Sequence, residues 1–219
     1  MKILIELPSW LGDAVMTTPA IENIINYYDD SQVTLIGSTI SVEVLKHHPK
    51  VKKTYVLKKN LVSLYNLVKN LGKFDAFFSF RSSFRTRFLK LFIQSNNKYQ
   101  LNSEKYNDYH HVEKYNRFIN HCLNTNFSAG KLSIYRDSEL KVNRSNLIVG
   151  INPGASYGNA KRWYPEEFAK VAAELSSNYE IVIFGGSSEI NIANDIEKSL
   201  IEKRVSNYQN LTGSTSISQ

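Results

Sequence analysis

Asp13 and Lys161 are the side chains of this sequence best placed to do chemistry, because each sits in a glycine-bearing loop that follows a short apolar run. The first loop is PSWLGDAVMTTPA, Pro8 to Ala20, reached from Ile3 to Leu7. A carboxylate in such a loop can act as a general base toward a hydroxyl. It can equally be an N-cap that accepts backbone N–H bonds and contributes about 0.5–2 kcal/mol to a helix. The second loop lies within INPGASYGNAKRWYPEEF, Ile151 to Phe168, and carries Pro153, Gly154 and Gly158 ahead of Lys161, Arg162 and Trp163. Glycines let backbone N–H groups approach an anion, and a lysine beside a helix N-terminus adds positive potential, which is how α/β proteins hold phosphate. An ordinary strand-to-helix connection with a solvated lysine fits the same letters.

The elements around these loops alternate. Ile3 to Leu7, Val33 to Gly37, Thr54 to Leu57 and Phe74 to Phe80 are predicted strands. Helices are predicted over Pro19 to Tyr28, Ser41 to His47, Leu61 to Leu71, Ser83 to Gln94 and His110 to Asn124. Pro19 either kinks a helix that starts at Asp13 or begins the real one. Alternating strands and helices imply βαβ units, a parallel sheet and right-handed crossovers. Asn124 to Ser145 shows no sustained period and reads as a connection between a domain over residues 1–140 and a second over 147–219. That second domain has strands at Leu147 to Ile151 and Ile181 to Phe184, a possible third at Tyr208 to Thr212, and helices from Pro165 to Ser177 and Glu189 to Lys203. Ser214-Thr215-Ser216 suits the opening of a further helix, so the second sheet is expected to be incomplete and its last strand to present an open edge. Loops at the carboxyl ends of parallel strands line the ligand crevice of open α/β sheets, which is the position of both Asp13 and Lys161.

Composition narrows the classes. The single cysteine, Cys122, permits no internal disulfide and points to a reducing compartment. MKILIELP is cut by Glu6 and too short for a secretory apolar region, and no run approaches the roughly 20 apolar residues of a membrane span. A net charge of +7 invites a polyanion, whether nucleic acid, an anionic membrane or a phosphorylated substrate. Part of that excess is what A/T-rich codons produce, since Lys, Asn, Ile and Tyr are all abundant. No zinc-ligand spacing, RNP-like aromatic run or helix-turn-helix pattern supports nucleic acid, and no metal cluster is visible.

Two motifs together carry a resemblance. LPSWLGDAVMTTPAI near the start and NPGASYGNAKRWYPEEFA opening the second domain resemble the bacterial lipopolysaccharide core heptosyltransferases, and within them the heptosyltransferase II branch. RSSFRTRF (Arg81 to Phe88), HHVEKY (His110 to Tyr115), VIFGGSSE (Val182 to Glu189) and NLTGSTS (Asn210 to Ser216) agree in order along the chain. The resemblance implies a GT-B-type α/β fold: two Rossmann-like domains with parallel sheets facing a cleft, the second incomplete here. It also implies transfer of L-glycero-D-manno-heptose from an ADP-β donor to the first inner-core heptose on Kdo-lipid A, with inversion and without a cofactor or metal. Enzymes of this kind work in the cytoplasm, peripheral to the inner membrane.

Position by position, the resemblance makes Asp13 the base and Lys161 the contact to the donor phosphates, with Gly154, Ala155 and Ser156 in the loop around them. Gly185 and Gly186 match the turn beneath the nucleotide, and Glu189 a ribose-binding acid. Acceptor contacts fall to Gly12, Arg81, Arg85 and His111, since arginine forks bind carboxylates and phosphates well. Arg85 and Arg87 could instead belong to a solvated helix face, and His110 and His111 could simply begin a helix. Lys46, Lys50, Lys52, Lys53, Lys58 and Lys59 read as a solvated surface that favours an anionic leaflet. The family's D-[ST]-G-x-x-H segment does not occur in these 219 residues, so truncation and impaired turnover are expected. Rival readings are a heptosyltransferase I or III, another nucleotide-sugar transferase of the same fold, and a non-catalytic acceptor-binding remnant. A Rossmann-type oxidoreductase is disfavoured, because neither loop reads G-x-G-x-x-G and Gly37, not an acid, ends the second strand.

Overall fold

Two-residue periodicity sorts the central strand between two cores. In β1 (Lys2–Glu6), Ile3 and Ile5 join an apolar cluster on one face and Leu4 joins the cluster on the other. The computed structural model describes residues 1–58, 60–136, 147–155 and 159–217. It divides into two compact units, Met1–Ser138 and Glu139–Ile217.

In the first unit, β1 is joined by β2 (Gln32–Gly37), β3 (Val51–Val56), β4 (Lys73–Ser79) and β5 (Gln94–Gln100) in one parallel sheet of order β3-β2-β1-β4-β5. One face packs on α2 (Thr18–Tyr27), α3 (Thr39–Leu45) and α6 (His111–Leu123) through Ile21, Ile24, Val42, Leu45, Phe118 and Ile119. The other face packs on α4 (Leu61–Leu71) and α5 (Phe84–Phe92) through Leu64, Val68 and Leu89. Helices on both faces explain why β1 is apolar on both sides rather than alternating.

Pro19 begins a helix. A separate short helix, α1 (Leu11–Met16), ends first, and α2 starts at Thr18 with Pro19 in its first turn, where the missing N–H costs no helical bond. The Oγ atoms of Thr17 and Thr18 donate to the carbonyls of Ala14 and Val15 at 2.6 and 2.8 Å, satisfying acceptors at the junction. The predicted helix to Gln94 stops at Phe92, and Gln94 opens β5. This strand, QSNNKYQ, has no apolar alternation because it forms the sheet edge, where polar residues and Lys98 discourage further pairing.

In the second unit, β6 (Ile148–Ile151), β7 (Glu180–Ile183) and β8 (Tyr208–Asn210) form a parallel sheet of order β6-β7-β8. Its core joins Ile151, Ile181 and Ile183 to Ala169 and Ala172 of α7 (Pro165–Leu175) and to Ala193, Ile196 and Leu200 of α8 (Ile190–Glu202). At Ser214 the chain makes a turn closed by Ser214 N–H to Leu211 O at 3.0 Å, and no helix begins there among the described residues. The predicted connection from Asn124 is partly held to the first unit, where Asn120 Oδ1 accepts from Phe127 N–H at 2.9 Å. Its residues 137–146 lie outside the described ones.

Candidate functional site

The order β3-β2-β1-β4-β5 reverses direction between β1 and β4, and open α/β sheets bind ligands outside the carboxyl ends of the strands at that switch. The loop after β1 leads to Asp13, and the loop after β4 carries Arg81. Both predicted acceptor-side elements therefore flank one crevice of the first unit.

Asp13 is the third residue of α1, with Trp10 at the N-cap, so it is a first-turn acid and not the cap. The positive end of the short helix favours its negative charge. Its Oδ1 lies 3.2 Å from Nδ1 of His111, and its side chain is 25% exposed. His111 is the first residue of α6, capped by His110, whose Nδ1 accepts from Val112 N–H at 3.4 Å. Beneath the pair, the His111 ring stands edge-on to Tyr115 at 6.0 Å, and Tyr115 stands edge-on to Phe80 at 5.4 Å. Burial, and then the charge of Asp13, push the Tyr115 phenol well above its ordinary range, so it stays neutral beside the carboxylate. Asp13 is thus seated on a rigid aromatic floor that links β4 to α6.

Glu6, at the end of β1 beside the same switch, is a buried carboxylate that was not among the residues singled out from the sequence. It is 2% exposed at the end of β1, in register with Ser79 of β4. Ser79 Oγ donates to its Oε2 at 2.7 Å and Thr86 Oγ1 donates to its Oε1 at 3.2 Å. Arg81 Nη1 lies 4.0 Å from Oε1. Burial raises the Glu6 carboxyl above the usual range, and the two hydroxyls with Arg81 and Arg85 oppose that rise. A raised native value means that the folded state takes up a proton before the unfolded chain does, so stability falls as pH rises from near the ordinary value of 4.5 through the native one. Glu6→Gln should therefore gain on the parent as pH rises over that window and hold the gain above it, measured by urea unfolding from about pH 5 to about pH 8. Glu6→Ala removes the shared acceptor of the Ser79 and Thr86 hydroxyls, leaving them the Arg81 carbonyl at 3.4 Å and Ser83 Oγ at 3.0 Å, and should cost about 1–3 kcal/mol at every pH in that range.

The other acceptor-side residues divide. Arg81 is held over the crevice end by its N–H, which donates to Ser79 Oγ at 3.2 Å, and by its carbonyl, which accepts from Gln100 Nε2 at 3.3 Å. Arg85 turns instead toward the loop after β3, where its Nη2 donates to the Lys58 carbonyl, and its buried Nε has no hydrogen-bond partner among the described residues. Gly12 faces open space: a Cβ there would meet no atom within 4 Å. Trp10 beside it is exposed.

In the second unit, glycines gather at the carboxyl ends of the three strands. Gly154 follows β6, Gly185 and Gly186 follow β7, and Gly213 follows β8 with φ +74°, a left-handed backbone that suits glycine. Gly213 N–H donates to Gly185 O at 2.9 Å, which ties the last two loops together. Glu189 fills the space between the loops. Its Oε2 accepts from Gly186 N–H at 2.6 Å and its Oε1 from Ser188 Oγ at 3.0 Å. A Cβ on Gly154 would land on Glu189 Cγ, so the absence of a side chain at Gly154 makes room for the acid.

Gly154 N–H donates to Asn152 Oδ1 at 3.3 Å, so the backbone donor expected to serve an anion at Gly154 is engaged within the chain, as is the Gly186 N–H in the turn assigned to the nucleotide. The first turn of α7 carries Glu166 and Glu167, which oppose the positive helix end. Positive potential at this loop then rests on Lys161, exposed at the end of a 3₁₀ turn, and on Arg162. Arg162 Nη2 donates to Ala155 O at 3.1 Å. Ser156 lies outside the described residues.

The glycosyltransferase family 9 (heptosyltransferase) profile matches residues 78–219. Lipooligosaccharide heptosyltransferase 2 of Campylobacter jejuni is 37% identical over 99% of this chain and 70% of its own length. The chain belongs to glycosyltransferase family 9. Among solved structures, E. coli ADP-heptose LPS heptosyltransferase II aligns with a TM-score of 0.79 at 20% identity, over all of this chain and 74% of that one. The family 9 transferase from Veillonella parvula gives 0.79 at 20% identity, over 98% and 69%. The fold of this family 9 chain is GT-B type, built from Rossmann-like α/β units with parallel sheets.

Sequence reasoning on this family 9 chain missed Glu6 and Tyr115. The signal for Glu6 was a carboxylate closing the otherwise apolar run ILIEL, where a buried charge needs partners. Tyr115 stands one helical turn after His111.

Proposed function

We propose that this chain carries the heptose-transfer site of a heptosyltransferase II, using ADP-heptose as donor and the first core heptose of Kdo-lipid A as acceptor, at the cytoplasmic face of the inner membrane. The observation that carries the reading is the Asp13 carboxylate held against His111 at the β1/β4 switch of a family 9 fold. Asp13 takes the proton of the acceptor hydroxyl as its oxygen bonds to the heptose anomeric carbon. The bond from that carbon to the donor phosphate oxygen breaks on the opposite side, and ADP leaves with the electron pair, so the configuration inverts. Lys161 and Arg162 meet the charge that develops on the leaving diphosphate, an electrostatic contribution of several kcal/mol per well-placed group. Gly185, Gly186 and Glu189 shape the turn beneath the nucleotide, and Arg81 and His111, with Gly12 leaving room beside them, hold the anionic acceptor, while Arg85 braces the loop after β3.

The test measures sugar transfer from ADP-heptose to heptosyl-Kdo-lipid A, with the product anomer assigned by NMR, beside the Campylobacter jejuni relative as a control. Transfer with inversion is expected. ADP should bind, and UDP should bind more weakly. Retention of configuration, or a chain that binds neither ADP nor the acceptor, would overturn the reading.

A further inference from the structure

From Leu57 to Ser103 the sequence has nine lysines and arginines and a single acid, Asp75. That acid is engaged elsewhere, accepting from Lys2 N–H at 2.8 Å. The same stretch contains α4 and α5, which cover one face of the first sheet, and their outer surfaces carry large exposed apolar side chains among basic and polar ones. On α5, Phe84, Phe88 and Leu91 follow at spacings that stack them in one stripe, with Arg87 in the same stripe. Phe84 is 82% and Leu91 75% exposed, while Thr86 and Leu89 of the same helix are buried. On α4, Val62 and Tyr65 are exposed and Lys69 follows one turn later. The Tyr65 ring meets Phe92 at 5.9 Å and Phe92 meets Phe88 at 4.6 Å, so the two helices present one continuous patch.

An apolar patch of this kind marks an interaction surface. The geometry points to an anionic lipid bilayer as its occupant, with the α4–α5 face lying in the interface, rings and Leu91 in the acyl boundary, and Lys69 and Arg87 against the headgroups. Helices that combine aromatic and aliphatic anchors with basic residues bind membranes in this way. A second copy of the chain fits the face poorly, since back-to-back pairing sets Lys69 and Arg87 against like charges with no acid on either helix. The inference rests on the proposed acceptor: α5 begins three residues after Arg81, so the docked face would bring the acceptor crevice to the plane in which a lipid-anchored substrate lies. Among the described residues no helix is long and apolar enough to cross a membrane.

Co-sedimentation with vesicles of phosphatidylethanolamine and phosphatidylglycerol, against vesicles of phosphatidylcholine alone, tests it. The parent chain should sediment with the anionic vesicles and stay in solution with the neutral ones. Phe84→Ser with Leu91→Ser should lower partitioning by about tenfold or more. Lys69→Gln and Arg87→Gln should each lower it by about fivefold, and raised salt should do the same. All four positions are solvent-facing, and far-UV circular dichroism checks that the variants fold. Equal binding to neutral vesicles, unchanged binding by the serine variant, or a concentration-dependent dimer that the serine variant dissolves would overturn the proposal. Sedimentation reads no sugar transfer, so its failure leaves the transferase reading standing, and a failure of transfer leaves the docking result interpretable.

Discussion

Asp13→Ala is expected to lose heptose transfer by about 10²–10⁴-fold while ADP affinity stays within about twofold of the parent. The size of the effect follows from how few groups share the task. Asp13 is a partly exposed carboxylate at the β1/β4 switch, its Oδ1 3.2 Å from His111, with a neutral Tyr115 beneath. Asp13→Asn keeps the shape and the contact with His111 but cannot take a proton, so it should lose nearly as much as alanine. His111→Ala frees the carboxylate to rotate and should cost less than removal of the base, and His111→Gln, which retains a donor, less again. Single-turnover transfer assays paired with ADP titration by calorimetry separate these outcomes. An Asp13→Ala chain that transfers at the parent rate would end the assignment of the base.

Lys161→Ala should act on the opposite substrate, weakening ADP and ADP-heptose binding by about 10- to 100-fold, the worth of one hydrogen bond to a charged group. Among the described residues, several local features place much of that burden on Lys161. Gly154 and Gly186 spend their N–H groups on Asn152 and Glu189, and the first turn of α7 carries two acids. Arg162, the neighbouring cation, is held by the Ala155 carbonyl. Lys161→Arg should recover much of the loss because it restores the charge, whereas Lys161→Gln should not. Acceptor affinity should be unchanged in all three. Donor binding that survives Lys161→Ala intact would move the phosphate site elsewhere on the second unit.

Much of this arrangement was legible in the letters, and where it was not the physical cause is identifiable. Strands buried on both faces, such as β1 and β4, announce themselves as apolar runs, and α2 and α6 show amphipathic spacing. β5 did not, because at the sheet edge neither of its faces is fully covered, so its polar letters carry no alternation. α1 stays open in the letters, as a helix from Asp13 that Pro19 would kink or replace, because six residues give too few turns for a period. Asp13 and Lys161 stood out because each lies in a glycine loop after a strand. The partnership of Asp13 with His111 was invisible, since the two residues lie nearly a hundred positions apart and only the packing of α1 beside α6 brings them together. Glu6 looked like an interruption of an apolar run, and its role emerges only when Ser79 and Thr86 arrive from two other elements.

The wedge formed by Glu189 has a consequence for how such a protein can diverge. Because the acid occupies the volume that a side chain on Gly154 would need, and also holds the Gly186 amide, position 154 cannot change before position 189 does. An alanine at 154 arriving before a shorter residue at 189 would pry two turns apart, whereas the reverse order leaves only a small gap. Lineages should therefore travel between the permitted pairs along one route and not the other, giving this corner of the second unit a direction in its history as well as a shape.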